Sequence, residues 1–473
     1  MNDPSRWELP AAPARLACYA LALLLPVTLV TKAGASTLLD PQPENSTSLF
    51  GRAVAVVGDI DGDGHPDLAV GAPYQDGEFV DPRGGFGEPQ NVGKVFLING
   101  LTMNVIRELN DPKFQMIQPL KFGGQFGSAV AAAGDTNGDS IPDVLVGVPH
   151  HIEPEEDENE FNSGLAFVFS GADGSVLLTL EAPEPQEGAR LGYAVAGLGD
   201  VSGDGIPDLL VGAAKRDNED GVEDVGAAYL YSGAGGELIR ELAPPDQGGA
   251  EANGRFGSAV ANAGDVNNDG KSDILIGAPG NSRVYLFSGA TGALVRTIVG
   301  PSVDALPSFG ASVAGGKDVN RDGNPDIAIG ALLENKLSGA VYVYNSDGTL
   351  QRKLSIRKAA FSKFGSSVAL TDDLTGDRQP DVLVGAPDQA VNNLLNAGQV
   401  YLFRGSNGKL ARTTSSAEPK AYTGFGYVLS AADLNGDQTV QIIVGTPYQN
   451  ADLIDPDDGD LVTHLQIGQI EVQ

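Results

Sequence analysis

The chain of 473 residues carries 62 Asp and Glu against 30 Lys and Arg, a formal net charge of -32, so its field repels phosphate backbones and anionic lipid surfaces. Nucleic acid is excluded as a partner on that ground, and either bound cations or a solvated acidic surface must offset the self-repulsion of a compact fold. With 63 Gly, 29 Pro and 41% hydrophobic residues, the composition favours many short strands and tight turns over long helices.

At the start of the chain, Arg6 and Arg15 precede an apolar stretch from Leu16 to Val30, and Ala33-Gly34-Ala35 supplies a small-residue cleavage site. Residues 1–35 therefore read as a signal peptide cut after Ala35. The apolar stretch is shorter than the roughly 20 residues that a membrane span requires, and Pro26 interrupts it. The expected mature chain, 36–473, has no membrane span and no cysteine, since Cys18 lies in the leader. It is expected to be secreted or extracellular, or periplasmic or on the cell surface if bacterial, and to be stabilised by a large core or by structural metal. Asn45-Ser46-Thr47 is a glycosylation sequon.

From residue 50 onward one phrase recurs seven times, opening at Phe50-Gly51, Phe126-Gly127, Leu191-Gly192, Phe256-Gly257, Phe309-Gly310, Phe364-Gly365 and Phe425-Gly426. Each copy runs through a short apolar segment and an acidic loop to a closing phrase, such as Gly71-Ala72-Pro73, Gly277-Ala278-Pro279 or Gly445-Thr446-Pro447. Short β-branched runs bounded by turn residues read as strands, and two more usually follow, as with Arg283–Phe287 and Leu294–Ile298. Each repeat, beginning near residues 49, 125, 190, 255, 308, 363 and 424, is thus a four-stranded antiparallel meander. Meanders in series predict an all-β, seven-bladed β-propeller. The last repeat ends after its third strand, Gly468–Val472, whereas Ser36-Thr37-Leu38-Leu39 precedes the first repeat. Residues 36–43 are therefore expected to complete the last blade and close the ring.

The Phe-Gly and Gly-Ala-Pro signatures flanking a D-x-[DN]-x-D loop resemble the FG-GAP repeats of integrin α-subunit propellers, over nearly the whole mature chain. The resemblance implies a rigid adhesion or protein-interaction module.

Calcium prefers six to eight oxygen ligands, and a loop with side-chain oxygens at positions 1, 3 and 5 and a carbonyl at 7 can wrap it. The first repeat offers Asp59, Asp61, Asp63, the carbonyl of His65 and, at position 9, Asp67. The second offers Asp135, Asn137, Asp139, Ile141 and Asp143; the third, Asp200, Ser202, Asp204, Ile206 and Asp208; the fourth, Asp265, Asn267, Asp269, Lys271 and Asp273. The fifth and sixth follow with Asp318, Asn320, Asp322, Asn324 and Asp326, then Asp373, Thr375, Asp377, Gln379 and Asp381. Integrin-like loops use these same positions. In the seventh, Asp433, Asn435 and Asp437 are followed by Gln441 at position 9 and by Gln438 where Gly is usual, so about six structural Ca2+ sites are expected, with a seventh weak or empty.

A meander places the acidic loops on one face and the second-to-third strand connections on the other. Those connections are long in four consecutive blades (74–92, 150–163, 215–225 and 448–467) and short in the fourth, Gly280-Asn281-Ser282. They form an expected recognition rim, because long loops on a rigid scaffold carry recognition. Tyr74, His150 and Tyr448 follow the closing phrase in adjacent blades and are candidate ligand contacts on its inner edge, whereas His150 and His151 otherwise read as surface residues. The partner is expected to be an extracellular protein or a glycan. The function expected is calcium-dependent cell adhesion or extracellular protein–protein interaction; the alternative is a carbohydrate-binding, lectin-like propeller. No enzyme is expected: the four histidines show no metal-protease spacing, and neither a Gly-x-Ser-x-Gly elbow nor a phosphate loop is present.

Overall fold

The computed structural model describes residues 30–32, 35–41, 48–75, 91–114, 123–154, 160–245, 251–301, 308–356, 361–449, 451–454, 461–464 and 469–473. The expected leader, apart from Val30–Lys32 and Ala35, lies outside them, as do the sequon and most of the acidic residues of the rim.

Seven antiparallel sheets follow one another around a ring. The first contains Ala53–Gly58, Asp67–Ala72, Lys94–Ile98 and Val105–Asn110, paired in chain order. Blades two to six repeat this order, from Ala129–Gly134 through to Leu410–Thr414. The innermost strands touch their neighbours all the way round, including Val428–Ala432 of blade seven against Ala53–Gly58 of blade one. Every second strand of blades one to six is buried along its whole length, from Asp67–Ala72 to Asp381–Ala386, because blades pack on both of its faces. Their apolar runs, Leu-Ala-Val or Ile-Leu-Ile, follow from that double burial. Outermost strands such as Val176–Leu180 bury only part of their length.

Blade seven takes its first three strands from the end of the chain and its fourth from the start. Ala35–Leu39 lies antiparallel to Gln469–Val472, in register from Ser36 opposite Val472 to Leu39 opposite Gln469. Leu38 is 1% exposed and shares a cluster with Phe50, Phe96, Ile443 and Ile470, so residues from both regions form one core across blades seven and one. Val30–Lys32 adds a fifth, outer strand to this sheet through pairing with Ala35–Thr37. A cut after Ala35 would leave the pairs from Ser36 to Leu39 in place.

The signature residues set how blades meet. In blades one, two, four, five and six the Phe of the opening pair is buried against an aromatic residue of its own third strand, as in Phe50–Phe96 at 5.5 Å between ring centres and Phe256–Tyr285 at 5.3 Å. In blades two, four, six and seven the Phe N–H reaches back to the preceding blade, with Phe126 bonding Val92 O at 3.0 Å and Phe256 bonding Val225 O at 2.9 Å. The glycine of each closing phrase abuts the carbonyl of the next opening glycine. A β-carbon on Gly71 would stand 2.0 Å from Gly127 O, and one on Gly445 would stand 2.2 Å from Gly51 O, which carries the same contact across the closure. A second, less regular device uses arginine. Arg107 of blade one donates to Gly171 O at 2.8 Å and Ala172 O at 2.9 Å in blade two, and Arg352 of blade five donates to Gly405 O at 2.6 Å in blade six.

Candidate functional site

The acidic loops join first and second strands and share one hydrogen-bond plan. In the first, Asp59 Oδ1 accepts from Gly62 N at 2.7 Å and Asp59 Oδ2 from Gly64 N at 2.9 Å, while Asp63 Oδ1 accepts from His65 N at 2.8 Å. Gly62 and Gly64 adopt φ of 79° and 89°, the left-handed turns this wrapping requires. Ser140, Arg378 and Gln438 take the place of Gly64 in loops two, six and seven at φ of 70°, 65° and 68°, so the loop shape survives without glycine at a cost in strain. Asp59, Asp61 and Asp67 each present an oxygen within 4.8 Å of the others, and so do Asp373, Asp377 and Asp381. These acidic clusters could hold a metal ion.

The position-9 carboxylates have a second task. Asp67, Asp143, Asp208, Asp273, Asp326 and Asp381 are all 0% exposed. In loop one, Asp67 Oδ2 accepts from Ile60 N at 2.9 Å and Oδ1 from Gly100 N at 3.0 Å, so this residue ties the loop to the turn between third and fourth strands. Asp143, Asp273 and Asp381 make the equivalent pair of contacts. Burial pushes all six carboxyls up, Asp326 to about 6, against the pull of those donors. In loop seven Gln441 Oε1 keeps the N–H contact, to Leu434 N at 2.7 Å, but its Nε2 brings a donor to Thr439 O at 2.8 Å where the other loops offer a second acceptor.

Residues outside the loops complete them. Asn99 Nδ2 donates to Asp61 Oδ2 and to Asp63 Oδ2, both at 2.7 Å, and this amide holds the Asp63 carboxyl below the usual carboxylate range. Ser232, Ser288 and Ser406 point hydroxyls at Asp204, Asp269 and Asp377 from the same turn of their blades. The signal was present in the sequence as Asn or Ser beside Gly after most third strands, as in Asn99-Gly100, Ser170-Gly171 and Ser288-Gly289.

The residues present suit a hard cation. Asn267 Oδ1, Asp208 Oδ1 and Asp433 Oδ1 are buried acceptors with no hydrogen-bond donor, and orphaned buried oxygens within acidic loops are what a metal ion satisfies. Loops three and six also receive a cation, loop six from Arg404, 3.7 Å from Asp377 Oδ2. The side chain of Lys271, from position 7 of loop four, crosses to loop three, donating to Asp200 O at 2.7 Å and lying 3.3 Å from Asp200 Oδ2.

On the opposite face, a cavity of 580 Å³ lies on the ring axis, lined by the first strands of all seven blades. His150 and Tyr448 line it; Tyr74 does not, but its hydroxyl accepts from Gln125 Nε2 at 3.3 Å, and Gln125 does line it. The three candidate contacts are thus brought to one rim. His150 also borders an adjoining cavity of 470 Å³ with Arg190 and Lys215, and burial, together with those two cations, pushes its pKa down. His151 corrects the sequence reading: it is 4% exposed, with Nδ1 3.8 Å from Asp111 Oδ2, and is no surface residue. Of the long connections, 215–225 is described throughout, whereas 150–163 and 448–467 are described in part, each with a short hairpin. The cavity's most distinctive residue, Arg52, was not singled out in the sequence. Its guanidinium carbon lies 4.5 Å from the centre of the Tyr427 ring, which in turn meets Tyr448 edge-on at 5.7 Å.

The fold and its loops define an FG-GAP repeat β-propeller: the FG-GAP repeat family matches residues 50–98, 126–166 and 364–403, and the FG-GAP-like repeat family matches 265–329. Among characterised proteins the chain is similar to integrin α subunits. It is 28% identical to human integrin alpha-8 over 326 residues, which is 65% of this chain and 28% of that protein. It is 33% identical to integrin alpha-PS2 of Drosophila melanogaster over 236 residues, 45% of this chain and 15% of the relative. To integrin alpha-V of Gallus gallus it is 34% identical over 217 residues, 42% of this chain and 19% of the relative. The chain therefore spans less than a third of the length of these relatives. No helix among the described residues is long and apolar enough to cross a membrane.

Proposed function

We propose that the protein is an exported, calcium-loaded propeller that acts by binding, in cell adhesion or extracellular protein–protein interaction, and not by catalysis. The observation that carries this reading is the division of labour between its faces. One gathers acidic oxygens into loops that tie strands together; the other presents long connections around an axial cavity. Similarity to integrin α subunits supports the same role.

Calcium would be held by positions 1, 3 and 5, the carbonyl at 7 and the position-9 Asp, with Asp59, Asp61, Asp63, His65 and Asp67 as the fullest set. It would supply the positive charge that lets three or four carboxylates share one tight loop. The cation would be structural, since its ligands lie where hairpins are joined and not at the cavity. Tyr74, His150 and Tyr448 would contact the partner on the other face.

The test is capture from native surroundings by the immobilised protein, with calcium and with chelator, alongside an array of immobilised glycans. A captured polypeptide lost on chelation supports the reading. Binding to glycans alone would establish the lectin alternative instead.

A further inference from the structure

The charge at the mouth of the axial cavity runs against that of the chain as a whole. Three positions in each repeat lie at this end of the blades, namely the residue before the opening pair, the residue after it, and the residue after the closing phrase; of their cations, Arg52 and Lys363 line the axial cavity, and Arg190 and Lys215 line the adjoining one. The residue after the closing phrase is held within its blade by a backbone bond to the carbonyl two residues before the opening pair, as His150 N to Gly124 O at 3.1 Å and Lys215 N to Ala189 O at 3.0 Å illustrate. Across the seven repeats the three positions hold the cations Arg52, Arg190, Lys215, Arg255 and Lys363 but a single acid, Asp388, in a protein where acids outnumber bases 62 to 30.

Two of the cations are neutralised, Lys363 by Asp388 at 2.8 Å and Lys215 by Asp224 at 3.3 Å. Arg52, Arg190 and Arg255 pair with no carboxylate among the described residues. Other polar groups at this level are occupied: the hydroxyls of Ser128, Ser258 and Ser366 donate to the carbonyls of Gln125, Arg255 and Lys363. Arg52 alone of the three arginines lines the axial cavity. Held over the Tyr427 ring, its guanidinium makes no hydrogen bond among the described residues and can meet a planar, bidentate acceptor.

We propose that this mouth is a carboxylate-binding site, in which Arg52 receives an Asp or Glu side chain presented by a loop of a partner protein. The inference rests on the interaction-module reading and gives it a partner chemistry. A polyanionic sugar or nucleic acid fits less well, because the remainder of a surface with net charge -32 repels an extended polyanion, whereas one carboxylate at a loop tip meets only the local field. Among the described residues a stacking platform for neutral sugars is also lacking: Arg52 covers one face of Tyr427, and Tyr193, 41% exposed, is the one strongly exposed aromatic ring among those described that line the cavity.

The experiment is selection of phage-displayed random peptides on the immobilised full chain in calcium, followed by affinity measurement of the enriched peptides. Enriched sequences should share Asp or Glu at one position. Its change to Asn or Gln, and Arg52→Ala in the protein, should each weaken binding at least about tenfold, and Arg52→Lys should restore only part, since an ammonium lacks the guanidinium fork. The Arg52→Ala protein should melt close to the wild type, because the side chain's contact across blades, its cation–π contact with Tyr427, is small beside the strand pairing that closes the ring. Enriched peptides without an acid, or acidic peptides that bind Arg52→Ala unchanged, overturn the carboxylate site and leave the interaction module standing. Binding of uronate oligosaccharides in preference to peptides overturns it as well. No enrichment on the wild type removes both.

Discussion

Lys271 and Asp200 belong to different blades, yet the lysine's ammonium donates to the aspartate's main-chain oxygen at 2.7 Å and sits 3.3 Å from its carboxylate. Loop three therefore contains a cation of its own, borrowed from loop four. A positive charge on Asp200 competes with a metal for the same oxygens, and Ser202 at position 3 offers a weaker ligand than Asp or Asn. Replacing Lys271 with Met should tighten one calcium site at least about tenfold by calorimetric titration and leave the others unchanged. An unaltered titration would mean that the lysine and the ion do not meet.

Removal of calcium should lower stability steeply. One site held at about 100 times its dissociation constant contributes about 2.7 kcal/mol to the folded state. Chelation should thus lower the melting temperature well beyond any change caused by ionic strength, and Asp59→Ala should remove one of the tighter sites from the titration. Equal melting with and without chelator would show that the loops close without metal.

Deletion of residues 36–43 should open the ring. It removes the strand paired with Gln469–Val472 and the buried Leu38 from the core shared by blades seven and one. Leu38→Ala alone should cost about 2–5 kcal/mol in denaturant unfolding, as for other buried Leu truncations. The deletion should do more, since it exposes an edge strand that can pair with other molecules. An unchanged unfolding curve for the deletion would refute closure by this strand.

Arg352→Ala should destabilise the junction of blades five and six by about 1.5–3 kcal/mol, the usual loss for a hydrogen bond to a charged group, through the abandoned carbonyl of Gly405. Arg412→Ala should cost little, since Arg412 is exposed on the outer strand of blade six. Denaturation of the two variants side by side measures the difference.

Glu471 supplies a pH signature away from the acidic loops. It is 0% exposed and accepts from Gln469 Nε2 at 2.6 Å, Gln473 Nε2 at 3.0 Å and Ala417 N at 3.1 Å, as well as from the Ser416 hydroxyl. Burial raises its pKa above 4.5, with these donors opposing. The folded state therefore holds this proton more tightly than the unfolded state. The stabilisation that follows is complete below 4.5 and is lost as pH rises through the elevated value. Subtracting the stability–pH curve of Glu471→Gln from that of the wild type, both in chelator, should leave a decline over that window. A flat difference would mean that the group titrates normally.

Much of the fold is legible in the sequence because each blade restates it: Phe50-Gly51, Asp59 to Asp67 and Gly71-Ala72-Pro73 mark two strand ends and the loop between them, seven times over. The acidic loops were legible as oxygen donors, since their spacing is local. What escaped lies between repeats or across hairpins. That Asp67 also closes its loop depends on its reach to Ile60 N and Gly100 N, which spacing does not reveal. Lys271 reads only as the position-7 residue of its own loop until the neighbouring blade is placed beside it. His151 reads as exposed because the sequence does not show that it packs beside Asp111. Arg52 was silent for another reason: it breaks the pattern, standing where three other repeats have Ser.

The contacts between closing and opening glycines have a consequence for the cavity. Because backbone meets backbone at each junction, from Gly71 against Gly127 round to Gly445 against Gly51, the aperture of the ring is gauged by main chain and does not depend on what the inner side chains are. Arg52, Tyr193 and Tyr427 stand on that gauge as interchangeable type on a fixed plate. Their replacement should rewrite what the mouth accepts while the frame keeps its diameter, which makes this end of the ring a natural place to redirect the propeller to a different partner.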